Sequence, residues 1–227
     1  MSPGIAGRTD APTCVLFDFD GTLIDSLPAL VGAYQQAFLE VLGHTVPELE
    51  SDPASFLTPR VAEVCRAVAG PRAEECAVAY DRHYRASTYR LASAYPGVLD
   101  MVATLQERGV AAGIVTNKGR ARTLRDLEWI GLAPEQLATV VCSEDTLLRK
   151  PDGAPVALGI DLAGGIPERT VYVGDGPQDA RAARAAGAAS IAVLYGYYPE
   201  ADLREAGPDV VVSTPEALVE LLLELTA

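Results

Sequence analysis

Basic residues are scarce in this chain: 18 Lys and Arg stand against 31 Asp and Glu, a formal net charge of −13 at pH 7. A nucleic-acid or anionic-membrane surface needs concentrated cations, so neither partner is expected. A small anionic substrate stays open, provided that a metal and a few local cations attract it against the long-range field. Long apolar runs are missing as well. No stretch of about 18 apolar residues exists to span a bilayer, and no charged segment followed by a hydrophobic one opens the chain, so a cytoplasmic location is expected. Cys14, Cys65, Cys76 and Cys142 lack CxxC spacing, which favours buried free thiols over a metal site or disulfides. Low-complexity segments are absent too, and fraying is expected only at the termini, residues 1–12 above all.

What is present is a 49 % apolar chain of 227 residues, enough for one large domain or a core carrying a smaller one. Its most informative segment is Cys14-Val15-Leu16-Phe17-Asp18-Phe19-Asp20-Gly21-Thr22. The apolar run reads as a buried strand ended by Gly21. Asp18 and Asp20 then sit at its C-terminal edge, where open α/β sheets build their sites. At about 4 Å and an effective dielectric near 20, two like charges repel by about 4 kcal/mol. A divalent cation removes that cost, and carboxylates of this kind suit Mg²⁺.

After this strand, Ser26 is placed to cap a helix with Pro28 in its second position, and Leu30, Val31, Tyr34, Ala37, Phe38 and Val41 recur at helical spacing up to Gly43. From there to about residue 95 only helix signals occur, at 59–69 and 72–91. Beyond Pro96-Gly97 the pattern alternates: helix 98–108, strand 110–116, helix 121–130, strand 139–142, helix 154–162, strand 170–173, helix 179–186, strands 190–194 and 209–212, helix 215–225. Such alternation predicts an α/β fold with a doubly wound, Rossmann-like parallel sheet. The helical section becomes a small all-helical cap inserted after the first strand. Its expected span is 27–95, with 1–26 and 96–227 forming the core.

Four polar groups close four of the predicted strands: Asp18 and Asp20, Thr116-Asn117, Lys150-Pro151 just past the third, and Gly174-Asp175-Gly176 with Asp179 four residues later. Parallel strands end along one edge, so these groups are expected to share a pocket. A carboxylate there can attack phosphorus and split a hard displacement into two easier steps, a task assigned to Asp18. Asp20, on the same side of an extended strand, suits the acid that protonates the leaving group and the base that then activates water. Charge growing on the equatorial oxygens needs donors already in place: the Thr116 hydroxyl, the Asn117 amide as a substrate contact, and the Lys150 ammonium. Asp175 would complete a metal shell with Asp18 and the backbone carbonyl of Asp20. Asp179, one helical turn on, would orient Lys150 or a metal-bound water.

These residues resemble a family. LFDFDGTLIDS, IVTNKG, RKPDGAP and VYVGDGPQDARAARAAG look like the four motifs of the haloacid dehalogenase-like hydrolases, in particular the phosphoglycolate phosphatase-like branch, from about Thr13 to the C-terminus. The resemblance implies Asp18 as nucleophile, Asp20 as acid/base, Thr116 and Lys150 as phosphate stabilisers, Asp175 as a Mg²⁺ ligand and a helical cap that closes over the site. It makes a small phosphorylated metabolite the expected partner and 2-phosphoglycolate the first candidate. Many relatives carry a Gly-centred turn before the second cap helix, whereas this chain reads Phe56-Leu57-Thr58-Pro59-Arg60. Arg60 is therefore either a contact for the substrate's distal anionic group or a surface residue near a helix start. Arg82, Arg85 and Tyr89, at helical spacing, either line a pocket or form a solvated face.

Within the same chemistry a phosphomutase of the β-phosphoglucomutase kind, a pyrophosphatase or a nucleotidase remain alternatives. A dehalogenase would give Asp20 no leaving oxygen to protonate. A phospho-receiver module also uses Asp, Thr, Lys and Mg²⁺, but it is about half this length and carries no helical insertion. A monomer and a homodimer are both compatible with the Leu218, Leu221, Leu222 and Leu225 stripe.

Overall fold

The apolar run near the start of the sequence forms β1 (Cys14–Phe17), with all four residues fully buried. The structure is a computed structural model that describes residues 11–227, with the side chains at 87–90 outside the description. Of the segment expected to fray, residues 1–10 lie outside the described residues. The next residue is tied down, since the Ala11 carbonyl accepts from Arg169 Nη2 at 2.7 Å.

The chain continues through β2 (Ile24–Asp25), α1 (Leu27–Leu42), α2 (Glu48–Ser51), α3 (Ala54–Leu57), α4 (Val61–Ala69), α5 (Ala73–Leu91) and β3 (Ser93–Ala94). It then alternates: α6 (Val98–Glu107), β4 (Ala111–Val115), α7 (Arg120–Ile130), β5 (Thr139–Val141), α8 (Ala154–Leu162), β6 (Thr170–Gly174), α9 (Pro177–Ala185), β7 (Ala189–Val193), α10 (Glu200–Ala206), β8 (Val210–Val212) and α11 (Pro215–Leu225).

Six strands form one parallel sheet in the order β5-β4-β1-β6-β7-β8. Connections from β1 run outward through β4 to β5, and those from β6 run the other way through β7 to β8. The direction of winding therefore reverses between β1 and β6, and doubly wound sheets hold their ligands in the crevice at such a point. Helices α8 and α9 pack over one sheet face, where Cys14, Leu16, Val115, Val156, Ile160 and Tyr172 share a buried cluster. Contact there is tight: a Cβ at Gly159 of α8 would lie 2.5 Å from Val115 Cγ2, so only glycine lets the helix approach this closely.

Two compact units emerge, residues 1–25 with 94–227 and residues 26–93. In the second, α1 packs on α5 through Tyr34 and Tyr80, whose rings are 4.3 Å apart, with Tyr84 stacked beyond. Gly43 ends α1 at φ 81°, a left-handed conformation that its missing Cβ permits.

The expected Ser26 cap does not form. Ser26 has φ −107° and ψ 1°, outside the extended range of capping residues, and its hydroxyl makes no capping bond, so Pro28 in the first turn is the remaining start signal. The stretch read as purely helical also contains β3, which pairs with β2 where the chain leaves and rejoins the first unit. Three short helices, α2, α3 and α10, went unread for a common reason. Each is too short or too polar to show an apolar period.

Candidate active site

Asp18 follows β1, and its backbone N–H donates to the Val173 carbonyl at 2.8 Å, extending the β1–β6 pairing into the switch point. Its carboxylate is 3.0 Å from Lys150 Nζ. Lys150 arrives from the β5–α8 connection and has a fully buried side chain. An ammonium has three protons, and the other two contacts of Nζ are Asp179 Oδ1 and the Tyr172 hydroxyl, each at 2.7 Å. Tyr172 donates in turn to the Val115 carbonyl at 2.6 Å. Burial pulls the Lys150 ammonium down, but Asp179 and Asp18 outweigh it and hold its pKa above the ordinary value. Lys150 therefore stays charged.

Asn117 does not offer its amide freely. Nδ2 donates to the Lys150 carbonyl at 3.0 Å and Oδ1 accepts from the Lys150 N–H at 3.1 Å, so both ends of the side chain brace the main chain that carries the lysine. Thr116 follows β4 and is buried, and its hydroxyl oxygen accepts from the Lys118 N–H at 3.2 Å, leaving the hydroxyl proton to donate elsewhere.

Asp175 follows β6, and its Oδ2 accepts from the Tyr197 N–H at 2.8 Å. Asp179 sits in the first turn of α9, where its Oδ2 accepts from the Gly176 N–H at 2.9 Å. Asp18, Asp175 and Asp179 each offer an oxygen within 4.8 Å of the others, and all three are buried. Asp20 does not belong to this group through its side chain; its expected part was the backbone carbonyl.

Three carboxylates face one ammonium here, a deficit that a divalent cation would balance with an all-oxygen ligand set suited to Mg²⁺. The surroundings fit that use. A Cβ at Gly21 would lie 2.2 Å from Asp175 Oδ2, and one at Gly196 would lie 2.4 Å from the same oxygen, so two glycines make room for this carboxylate.

Burial, then the charges of Asp179 and Asp18, push Asp175 well above the usual carboxylate range. Burial raises Asp179 from 3.8 to about 6 despite Lys150 beside it. Without a metal, the folded protein thus holds a proton that the unfolded chain releases. Stability from this group is complete below pH 3.8 and is lost as pH rises through about 6. Thermal melts in EDTA should accordingly give a lower Tm at about pH 7.5 than at about pH 5. Mg²⁺ should raise Tm most at the higher pH, because it binds the ionised carboxylates of the folded state. A Tm indifferent to both would remove the triad as a metal site.

Asp20 meets a partner that the sequence did not announce. Lys118 Nζ lies 2.6 Å from Asp20 Oδ1 and 2.5 Å from Asp126 Oδ2 on α7. Lys118 lies within IVTNKG, where nothing local gives it a role, and Asp126 and Tyr172 stand inside a helix and a strand with no strand-end signal beside them. One signal was legible: Thr123, Asp126 and Leu127 occupy the buried stripe of α7, and an acid on such a stripe requires a cation.

The residues read in the helical section fare differently. Arg60 precedes α4 and is exposed, its backbone N–H donating to Glu63 Oε2 at 2.8 Å. Arg82 pairs with Glu40, and Arg85 with Asp81 at 2.7 Å, as on a solvated face. The Tyr89 side chain lies outside the described residues.

The sequence profile of the haloacid dehalogenase-like hydrolase family matches residues 15–193. A phosphoglycolate phosphatase of Rhodospirillum rubrum is 33 % identical over 201 residues, 83 % of this chain and 82 % of that protein. An N-acetylmuramic acid 6-phosphate phosphatase of Pseudomonas aeruginosa is 30 % identical over 215 residues, 92 % of this chain and 93 % of its own length. Among solved structures, a haloacid dehalogenase-like family hydrolase of Streptococcus pneumoniae superposes with a TM-score of 0.79, at 21 % identity, covering 93 % of this chain and 98 % of that one. This chain belongs to the haloacid dehalogenase-like hydrolases.

Proposed function

We propose that this hydrolase is a Mg²⁺-dependent phosphatase of small phosphomonoesters, with 2-phosphoglycolate as the first substrate to try. One observation carries the proposal: Lys150 joins Asp18 to Asp179, with Asp175 beside them, where the winding of the sheet reverses. Relatives named as phosphoglycolate phosphatases, and one named for a phosphorylated sugar acid, support the substrate class without choosing within it.

Asp18 attacks phosphorus and forms an aspartyl-phosphate, while Asp20 gives a proton to the departing alcohol oxygen. Asp20, now a base, takes a proton from the water that attacks the acyl phosphate, releasing phosphate and restoring Asp18. Lys150 and the Thr116 hydroxyl meet the charge on the phosphoryl oxygens, and Asn117 keeps Lys150 at its station. Asp18 and Asp175, with the Asp20 carbonyl, are the residues that would hold Mg²⁺, and Asp179 would orient Lys150 beside them. When bound, the ion would offset part of the negative charge that the carboxylates and the phosphate ester bring together.

Residues 27–95 serve as the cap that selects the leaving group, and Arg60 is its candidate contact for a second anionic group. A panel of phosphate esters tests both ideas. Steady hydrolysis of 2-phosphoglycolate and other small monoesters, abolished by EDTA and restored by Mg²⁺, is the expected result. Transfer to an added sugar phosphate in place of water would instead indicate a mutase. Arg60→Ala should raise KM by about tenfold for esters bearing a carboxylate and leave simple alkyl phosphates unchanged. An equal change for all esters would remove Arg60 from recognition.

A further inference from the structure

The Lys118–Asp126 pair is buried at a cost that stability alone does not repay. Lys118 is 8 % exposed and Asp126 fully buried, and removing two such charges from water carries a desolvation penalty that their mutual attraction need not repay. A well-packed apolar pair at the same positions would commonly serve the fold as well or better. The ammonium is held on several sides nonetheless: Asp126 Oδ2 at 2.5 Å, Asp20 Oδ1 at 2.6 Å, and the Phe19 ring with its centroid 5.3 Å away.

Both ends of the assembly are fixed by the fold. Asp126 projects from the buried stripe of α7, beside Thr123 and Leu127. Lys118 leaves the β4–α7 connection, where its own N–H is tied to the Thr116 hydroxyl and its carbonyl accepts from Ser143 N–H at 3.1 Å. Asp20, by contrast, sits in a short loop with its side chain 21 % exposed. A carboxylate attached there through two rotatable bonds needs an outside anchor to keep one orientation.

We infer that Lys118, braced from behind by Asp126, is a positioning residue that fixes the carboxyl group of Asp20 toward the leaving oxygen of the substrate. The inference rests on the acid/base role proposed for Asp20 and adds the device that aims it. Lys118 does not touch the reacting atoms. Its effect therefore appears only where a positioned proton matters.

Leaving groups separate that effect from a general structural one. An alkoxide leaves poorly unless protonated, whereas p-nitrophenolate departs without help. General acid catalysis contributes about 10²–10⁴-fold, so Lys118→Met should lower kcat/KM, which reports the first phosphoryl transfer and not the water step that both esters share, by about 10²-fold on an alkyl phosphate and by only about threefold on p-nitrophenyl phosphate. Asp126→Asn, which keeps the shape and removes the charge, should give the same selectivity in weaker form. Lys118→Arg should recover part of the alkyl activity.

Asp20→Asn is the control that separates the two levels of the proposal. If Asp20→Asn is selective for alkyl esters while Lys118→Met and Asp126→Asn lower both substrates equally, the positioning role is wrong and the acid role stands. If Asp20→Asn shows no selectivity, both fall. Should Lys118→Met not fold, Asp126→Asn and Lys118→Arg decide by the same ratio.

Discussion

Asp18→Asn should cut phosphate release by at least about 10⁴-fold, the scale seen when a nucleophile is removed from a unit that works jointly. The amide keeps the shape of the carboxylate, but its neutral oxygen lacks the negative charge that makes the carboxylate a nucleophile toward phosphorus. Stability should hardly suffer. The substitution gives up a 3.0 Å contact with Lys150, yet it also removes one of three like charges grouped within 4.8 Å. Tm in EDTA should therefore stay the same or rise. Near-normal turnover by a folded Asp18→Asn protein would show that another group attacks phosphorus.

Lys150→Met should damage both the fold and the chemistry. Nζ is the shared partner of Asp18, Asp179 and the Tyr172 hydroxyl, and the side chain is fully buried. Breaking a buried pair by deleting one member costs about 3–5 kcal/mol, because the remaining charge is left uncompensated. For a chain of this size that is roughly a 10 °C drop in Tm. The loss should shrink as pH falls through about 6, where Asp179, raised by burial, takes up a proton in the folded state. Removing the positive charge beside the developing negative charge should lower kcat by about 10²–10³-fold. A variant that melts like the parent would mean that the lysine is not what holds these carboxylates together.

The sequence carried the sheet and the four strand-end groups because both depend on local signals. A buried parallel strand must be apolar from end to end, and the chain must then turn, so DFDGT, TN, KP and GDG each mark a place where apolar spacing stops and polar chemistry begins. Lys150 was legible for this reason. Lys118 was not, since Asp20 lies 98 residues away and nothing beside the lysine indicates whether it is solvated or buried. Tyr172 escaped notice because an aromatic inside a strand reads as core, and only the folded geometry turns its hydroxyl onto Lys150 and the Val115 carbonyl. Asn117 carries a contact that its residue type did not indicate: both ends of its side chain brace the main chain of Lys150. Residue chemistry at a strand end pointed to Asp18, Lys150, Asp175 and Asp179, which the fold brings together, but the partner each group takes depends on contacts made across the sheet.

The four thiols divide evenly between the two compact units. Cys14 and Cys142 lie in the sheet unit, Cys65 and Cys76 in the helical one, and none is more than 1 % exposed. Burial raises all four above the usual thiol range, Cys14 to about 11, so none reacts readily while its surroundings stay closed. Alkylation in native buffer is thus a clock with two hands. Each cysteine that acquires a label dates an excursion of its own half of the molecule, and mass mapping of the labelled peptides distinguishes halves that breathe separately from a chain that loosens all at once.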